Sequence, residues 1–462
     1  MSSPPAIPST KEPTRESEYR FKDLGTPCEW AESYRPGDLH PVHLGDVFND
    51  RYQVIRKLGN GSYGTVWLAC DPSDERYVAL KIEAANRQKS NEVLFQTQLD
   101  ARISENPRSD CIVRLLNSFY HQGPNGNHLC IVLEPMGPSL STVLNAPFEI
   151  YDPLNPPVRR FAKGKIKRIL RHVLLGLSFL HDNGVVHGDL HSGNILFALQ
   201  DLSSVERVAL EQTAENSRID QLHRIDGKHD QWAPTYLAVA EPLSQHVLSG
   251  EAEAVKLSDL GGAFRSDDPP QSVAAPLCLR APEVILNEPI GPGIDTWSFG
   301  CLAYELITGT VLFRLPEFGL SDEGLKDEHL IQLTDIIGPL PGNLLAQWSD
   351  AAKYYGPKGE RLNSRPRDFD EDSTEDKYSC QDSPGDEFDD GTGTHEIELD
   401  GSEHDLPHVH DSLERLIKAH KNSDIDEQEE EAIVGFLRCI FQYDPALRPS
   451  AAKLLGHPWI SP

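Results

Sequence analysis

The strongest constraint on this chain is the order of four short motifs: LGNGSYGTV at 58–66, VALK at 78–81, HGDLHSGN at 187–194 and SDLG at 258–261. Each is common by chance; together and in this order they demand a fold that brings distant segments to one cleft. In the first, Gly59, Gly61 and Gly64 let a turn between two strands bring backbone N–H groups up to phosphate oxygens, with no Cβ in the way. Leu58, Asn60, Ser62 and Val66 complete that loop. An ordinary hairpin shows the same glycine spacing, so Val66 and the flanking strands carry the sharper reading. Lys81, on the next strand, has the reach to meet phosphates; an edge lysine snorkelling into water is the alternative. Asp189 suits orienting a hydroxyl and accepting its proton, and Asn194 and Asp259 offer the hard oxygens a Mg²⁺ ion prefers.

The text around the motifs changes period near Gly137. From Tyr52 to Leu133, short β-branched and aromatic runs broken by Gly, Asn and Asp read as an antiparallel sheet, with one helix near 90–102. Beyond it, IKRILRHVLLGLSFLH (166–181) and TWSFGCLAYELIT (296–308) have apolar residues at helical spacing. The expectation is an α+β, two-lobed protein: a small sheet lobe over 34–136 and a larger helical lobe over 137–462, with ligand in the cleft between. Residues 1–33 are poor in apolar groups and read as a disordered tail. An insert at 200–250 has no clear structure. A second, at 366–405, is dominated by Asp and Glu and reads as solvated and disordered.

The formal net charge is -29, which repels nucleic acid and anionic membrane and attracts basic protein. No uncharged apolar run is long enough to span a bilayer. The cysteines form no C-x-x-C pair, a pattern that suggests reduced thiols in a reducing compartment, cytoplasm or nucleus. A monomer is expected.

HGDLHSGN alone resembles aminoglycoside-type phosphotransferases. Ala281-Pro282-Glu283, Asp295-Thr296-Trp297-Ser298-Phe299-Gly300 and Leu447-Arg448-Pro449-Ser450 are instead features of eukaryotic protein kinases. With YRPGDLHPVHLGDVFNDRYQVIRKLG, GPNGNHLCIVLEPMGPSL, LRAPEVIL and KDEHLIQLTDIIG, the chain resembles the SR-protein kinases of the CMGC group, particularly their divergent fungal branch. The likeness runs from about Tyr34 to Trp459 and fails in both inserts.

That resemblance implies a serine/threonine protein kinase using ATP and Mg²⁺. Asp189 would be the base, with Lys81, Asn194 and His191 beside it. Glu92 would hold Lys81, with Glu83 as competitor; Asn194 and Asp259 would hold Mg²⁺. Val66, Ala79 and Leu196 would sandwich the adenine, Leu133 would be the gatekeeper, and the backbone of Glu134 and Met136 would meet the base. Glu283 with Arg448, and Asp295, would anchor the activation segment and catalytic loop. Substrates would be basic proteins, Arg/Ser-rich splicing factors among them, gripped by Glu328 and Asp335; a polar helix face is the alternative for those two acids.

Four positions depart from the usual kinase pattern. Gly188 replaces the Arg that clamps a phosphorylated loop, a loss shared with SR-protein kinases. His191 replaces a Lys that neutralises the γ-phosphate, and it has an ordinary pKa of about 6.5. The Thr that bridges that Lys is absent near Ala275 and Pro276. Gln96 stands where an apolar residue would pack better. These departures keep a second reading open, a nucleotide-binding pseudokinase acting as a scaffold.

Overall fold

A computed structural model describes residues 7–86, 91–103, 107–145, 160–316, 319–357, 359–362 and 410–461. The acidic insert at 366–405 lies outside them. By its internal packing the chain divides into two compact units, Phe313–Leu416 and the remainder.

The larger unit opens with a six-stranded antiparallel sheet. Its strands are β1 (Val47–Phe48), β2 (Tyr52–Gly61), β3 (Gly64–Asp71), β4 (Arg76–Glu83), β5 (Leu115–Gly123) and β6 (Gly126–Leu133), in the order β1-β2-β3-β4-β6-β5. Side chains alternate across a strand, and β4 (RYVALKIE) uses both faces. Val78, Leu80 and Ile82 join Tyr52, Trp67 and Val132 in one apolar core. Ala79 turns the other way, to Ile131, Leu133 and Met136, and alternation puts Lys81 on that second face. Helix α1 (Glu92–Ile103) lies between β4 and β5 in sequence.

The helical lobe is built on α2 (Leu140–Leu144) and α3 (Lys163–Asp182), followed by the short strands β7 (Val185–Val186) and β8 (Ile195–Phe197). The 200–250 insert is folded: helix α4 (Arg207–Leu210) precedes strands β9 (Ile219–Gln221) and β10 (Tyr236–Ala238), which pair antiparallel. Strand β11 (Val255–Leu257) pairs with β8, and β12 (Phe264–Arg265) with β7. Helices α5 (Pro282–Ile285) and α6 (Gly293–Thr308) follow. Nearly all of α6 is buried, polar Asp295, Thr296, Ser298 and Thr308 included. A Cβ on Gly300 would come within 2.6 Å of Ile440, so glycine lets the helix Glu427–Ile440 approach closely.

The expected disordered tail over 1–33 is corrected by the part described. Phe21 forms a β-bridge with Arg224 and packs with Tyr34, Leu39, Ala233 and Leu237. Arg20 pairs with Glu32 (2.9 Å) and Asp230 (3.1 Å). The tail's apolar groups are too few by themselves; they become a core only with residues about 200 positions later, which a local reading cannot see. Insert and tail converge on β2. Gln212 donates its N–H to the Ile55 carbonyl (2.9 Å) and accepts from the Lys57 N–H (2.9 Å), and Glu241 N–H donates to the Lys57 carbonyl (2.9 Å). The fully buried Lys57 ammonium pairs with Glu29, whose carboxylate also accepts from the Tyr34 hydroxyl.

In the smaller unit, helix α7 (Asp322–Ile336) is capped by the Ser321 hydroxyl, which accepts from Gly324 N–H (3.1 Å). Asp327 on it accepts from Trp348 Nε1 (2.6 Å) and the Tyr354 hydroxyl (3.1 Å). Among the described residues no helix is long and apolar enough to cross a membrane, and the seven cysteines there are unpaired.

Candidate active site

The Gly-rich turn joins β2 to β3, with Gly61 opposite Gly64. A Cβ on Gly64 would sit 2.4 Å from the Ile82 carbonyl oxygen, so only glycine lets the turn lie this close to β4. Beneath it, Ala79, Leu133 and Met136 form a cluster against which Leu58, Val66 and Leu196 pack. The fold thus brings together the three residues expected to sandwich an adenine, Val66, Ala79 and Leu196, with Leu133, Met136 and Leu58 of the Gly-rich loop. The Glu134 carboxylate is drawn away to Lys256 Nζ (2.7 and 2.9 Å) and Arg114 N–H (2.9 Å), so its side chain is not part of that surface.

Lys81 Nζ lies 2.7 Å from Glu92 and 2.9 Å from Asp259. The ion pair selects Glu92 over Glu83 as its partner. Burial works against the Lys81 charge, but the carboxylates of Glu92 and Asp259 outweigh it and hold the ammonium above its ordinary range. Asp259 adopts a left-handed backbone (φ 56°), unusual for a non-glycine residue, and accepts from Gly261 N–H (3.1 Å). Strain of this kind collects where a carboxylate must be aimed.

The catalytic loop hangs from α6. Asp295, 1 % exposed, accepts from His187 N–H (2.8 Å), Gly188 N–H (2.9 Å) and His181 Nε2 (2.8 Å). Burial favours the protonated acid, yet the bond from His181, the nearby His181 and His187 rings and the Gly188 N–H hold its pKa below the ordinary carboxylate value. Gly188 is left-handed (φ 72°), and a Cβ there would meet the Gly262 carbonyl at 2.7 Å. An arginine could not occupy this position without moving that turn. Asn194 Nδ2 donates to the Asp189 carbonyl (2.9 Å) and carboxylate (3.3 Å), which leaves the Asn194 amide oxygen for a cation. His191 Nε2 lies 3.8 Å from Asp189. Burial pushes the imidazole below its ordinary value, with Asp189 opposing.

The activation segment is fixed at its far end by Glu283 and Arg448, both buried, joined by two bonds of 2.6 and 2.7 Å. Arg448 also donates to the carbonyls of Gln442 (2.8 Å) and Gly293 (3.0 Å).

Two expected docking acids do not stand at a surface. The side chains of Glu328 and Asp335 are each 5 % exposed. Glu328 accepts from Gln332 (2.7 Å), and Asp335 accepts from His410 N–H (3.2 Å) and the Tyr355 hydroxyl (3.4 Å). Their place on a helix gave no sign of which face turned inward. Neither presents a free carboxylate to a peptide. Conversely, sequence reasoning passed over His181, Lys256 and Asn91. The Asn91 amide caps no motif but donates to the Ala263 carbonyl (3.3 Å), just beyond the DLG turn.

Among the described residues no group of three or more His, Cys, Asp or Glu side chains could hold a metal ion. The donor set here is two oxygens, Asn194 and Asp259. Two is what Mg²⁺ asks of a protein when phosphates and water supply the rest, so the residues fit.

Comparison with known proteins decides the family. The protein kinase domain matches residues 52–211 and 244–460. SRSF protein kinase 3 of Homo sapiens is 35 % identical over an alignment of 577 residues, covering 94 % of this chain and 90 % of that protein. Serine/threonine-protein kinase SRPK of Physarum polycephalum is 31 % identical over 350 residues, covering 72 % and 77 %. The chain is a serine/threonine protein kinase of the SR-protein-kinase family. Protein kinase dsk1 of Schizosaccharomyces pombe is a further relative, at 27 % identity over 417 residues, covering 72 % and 75 %. A crystal structure of a kinase domain shares the fold, with a TM-score of 0.56 at 24 % identity over 91 % of this chain and 98 % of that one. The alternative of a scaffold without transfer finds no support in these relatives. The stretch the kinase domain leaves unmatched, 212–243, includes Gln212 and Glu241, which bond β2, and Arg224, Asp230 and Leu237, which meet the N-terminal segment.

Proposed function

We propose that this kinase transfers the γ-phosphoryl group of ATP, with Mg²⁺, to serine hydroxyls in basic, Arg/Ser-rich proteins. The observation that carries the reading is the convergence of Lys81, Glu92 and Asp259 within 2.9 Å contacts, beside an Asp189 held by Asn194. Lys81 positions the α- and β-phosphates, and Glu92 holds its ammonium in place. Asn194 and Asp259 supply the ligands for Mg²⁺, which screens the phosphate charge when bound. Asp189 orients the attacking hydroxyl and takes its proton as the phosphorus–oxygen bond to the substrate forms and the bond to ADP breaks.

The substrate class rests on the net charge of -29, which draws basic chains electrostatically, and on the relative named an SRSF protein kinase. Since Glu328 and Asp335 face inward, recognition falls to other groups. The test is phosphorylation of an Arg-Ser repeat peptide against an acidic peptide of equal length, with Asp189→Asn as control. Wild type should favour the Arg-Ser peptide by at least about tenfold in kcat/KM. Asp189→Asn should lose about two orders of magnitude or more of kcat while keeping Mg-ATP affinity, because the base acts on the hydroxyl. Equal rates on both peptides would remove the substrate assignment. Equal rates for wild type and Asp189→Asn would remove Asp189 as the base.

A further inference from the structure

Helix α1 carries a polar residue in its core face. Gln96 lies one turn after Glu92 and is 2 % exposed, next to Phe95 at 3 % and Leu99 at 2 %. Its Nε2 donates to the Val113 carbonyl at 2.9 Å. The N–H of Val113 donates in turn to the Leu257 carbonyl at 2.9 Å. Ile112 forms a parallel bridge with Leu257, the last residue of β11, and Asp259 follows two positions later. At the start of the same helix, Asn91 Nδ2 donates to the Ala263 carbonyl at 3.3 Å. Two polar ties thus join α1 to the strand and turn that present Asp259.

The helix delivers Glu92 to Lys81, and Lys81 bridges Glu92 and Asp259. An apolar side chain at 96 would leave α1 held by packing, which is non-directional and tolerates sliding and rotation. A hydrogen bond fixes distance and direction. We infer that Gln96 is a positioning residue: its bond to the Val113 carbonyl, assisted by Asn91, seats α1 where Glu92 meets Lys81. Gln96 touches no substrate and acts only through Glu92. The inference rests on Lys81 and Glu92 being the phosphate-positioning pair. Removing the donor leaves a buried carbonyl unpaired, a loss that shifts the balance between seated and displaced helix by about tenfold or more.

The test compares wild type, Gln96→Met (shape kept, donor lost), Gln96→Leu and Asn91→Ala in the full chain. Three quantities are read: hydrogen–deuterium exchange of residues 92–100 without nucleotide, affinity for Mg²⁺ with the non-hydrolysable analogue AMP-PNP, and the split of kcat/KM between ATP and peptide. Gln96→Met should speed exchange in α1 about tenfold while leaving β5 and β6 unchanged. It should weaken AMP-PNP binding by a similar factor and leave KM for peptide alone. Asn91→Ala, at the helix end and outside the core, should show the same pattern more weakly; it decides the matter if Gln96→Met does not fold. A purely structural Gln96 would lower melting temperature and speed exchange across the whole sheet lobe, with nucleotide affinity unchanged. That outcome, unchanged α1 exchange in Gln96→Met, or tighter AMP-PNP binding by Gln96→Leu overturns the inference. If wild type binds no AMP-PNP, the phosphate-site reading fails instead, and the exchange rates alone decide whether Gln96 seats α1.

Discussion

Replacing Arg448 with methionine isolates the worth of one buried charge pair. The guanidinium makes two bonds to Glu283, at 2.6 and 2.7 Å, and donates to the carbonyls of Gln442 and Gly293. Its side chain is 1 % exposed and that of Glu283 3 %. It also lies over the Trp297 ring, 4.9 Å from the centroid. Methionine keeps the apolar stem against Trp297 and strands the carboxylate in a dry site. Breaking a buried pair from one side costs about 3–5 kcal/mol. At a urea dependence of about 3 kcal/mol per molar, the unfolding midpoint should fall by roughly 1–2 M. The double variant Glu283→Met, Arg448→Met removes the stranded charge and should recover a large part of that loss. Glu283 sits in α5, at the end of the activation segment, so Arg448→Met should also raise KM for peptide more than KM for ATP. The assay is urea unfolding followed by tryptophan fluorescence, with peptide kinetics on the same samples. A midpoint shift below about 0.3 M, or a double variant no better than the single one, would refute the claim that an uncompensated charge dominates.

Two further outcomes follow from the same structure. His40 packs edge-on to His121 and His128, each with ring centroids 4.8 Å away; burial, with the two neighbouring imidazoles, holds its pKa down to about 3, and burial lowers the other two as well. The unfolded chain therefore binds more protons below about pH 6.5, so stability should fall as pH drops below 6.5, and His40 alone contributes up to about 1.4 kcal/mol per pH unit down toward pH 3; His40→Leu should flatten the slope of urea midpoint against pH between 6.5 and 5, and an unchanged slope would exclude His40 as a contributor. Glu29→Gln keeps the segment in place but leaves the buried Lys57 ammonium without its counter-charge and should destabilise the sheet lobe by about 3–5 kcal/mol, read as an earlier thermal transition; a melting curve identical to wild type would mean the pair contributes nothing.

What was legible in the sequence was chemistry with a short address. Lys81, Asp189, Asn194 and Asp259 each sit in a motif whose spacing fixes the local backbone, and the order of those motifs fixed the lobes. Glu92 was legible because the sheet lobe reads as having one helix, and a lysine there awaits a carboxylate. What escaped depends on long-range pairing. Phe21 and Leu237 stabilise one another only in the folded chain, so neither segment shows a self-sufficient apolar pattern. Glu328 and Asp335 lie on a helix whose charged residues face inward as well as outward, because Gln332, Tyr355 and His410 satisfy them; periodicity assigns such acids to the solvent by default. The left-handed turn at Asp259 has no signature beyond the glycines after it.

His191 shows how the catalytic loop tolerates losing its lysine. The imidazole Nδ1 accepts from Gly193 N–H at 3.0 Å, so the residue caps its own turn. A side chain at 193 would displace this ring, since a Cβ there would come within 2.6 Å of it. His191 in this rotamer and Gly193 therefore fit one another, the ring lying where a side chain at 193 would begin. With Nδ1 accepting, a neutral ring carries its proton on Nε2, on the side of Asp189. The geometry of Asp189 survives because it is set elsewhere, by Asn194 and by the bonds from the loop backbone to Asp295. What does not survive is the positive charge. Burial keeps His191 below its ordinary value, so the work of neutralising phosphate is left to Lys81 and to the cation that Asn194 and Asp259 would hold. Loop shape and loop charge are separable in this fold, and this chain has kept the first while giving up part of the second.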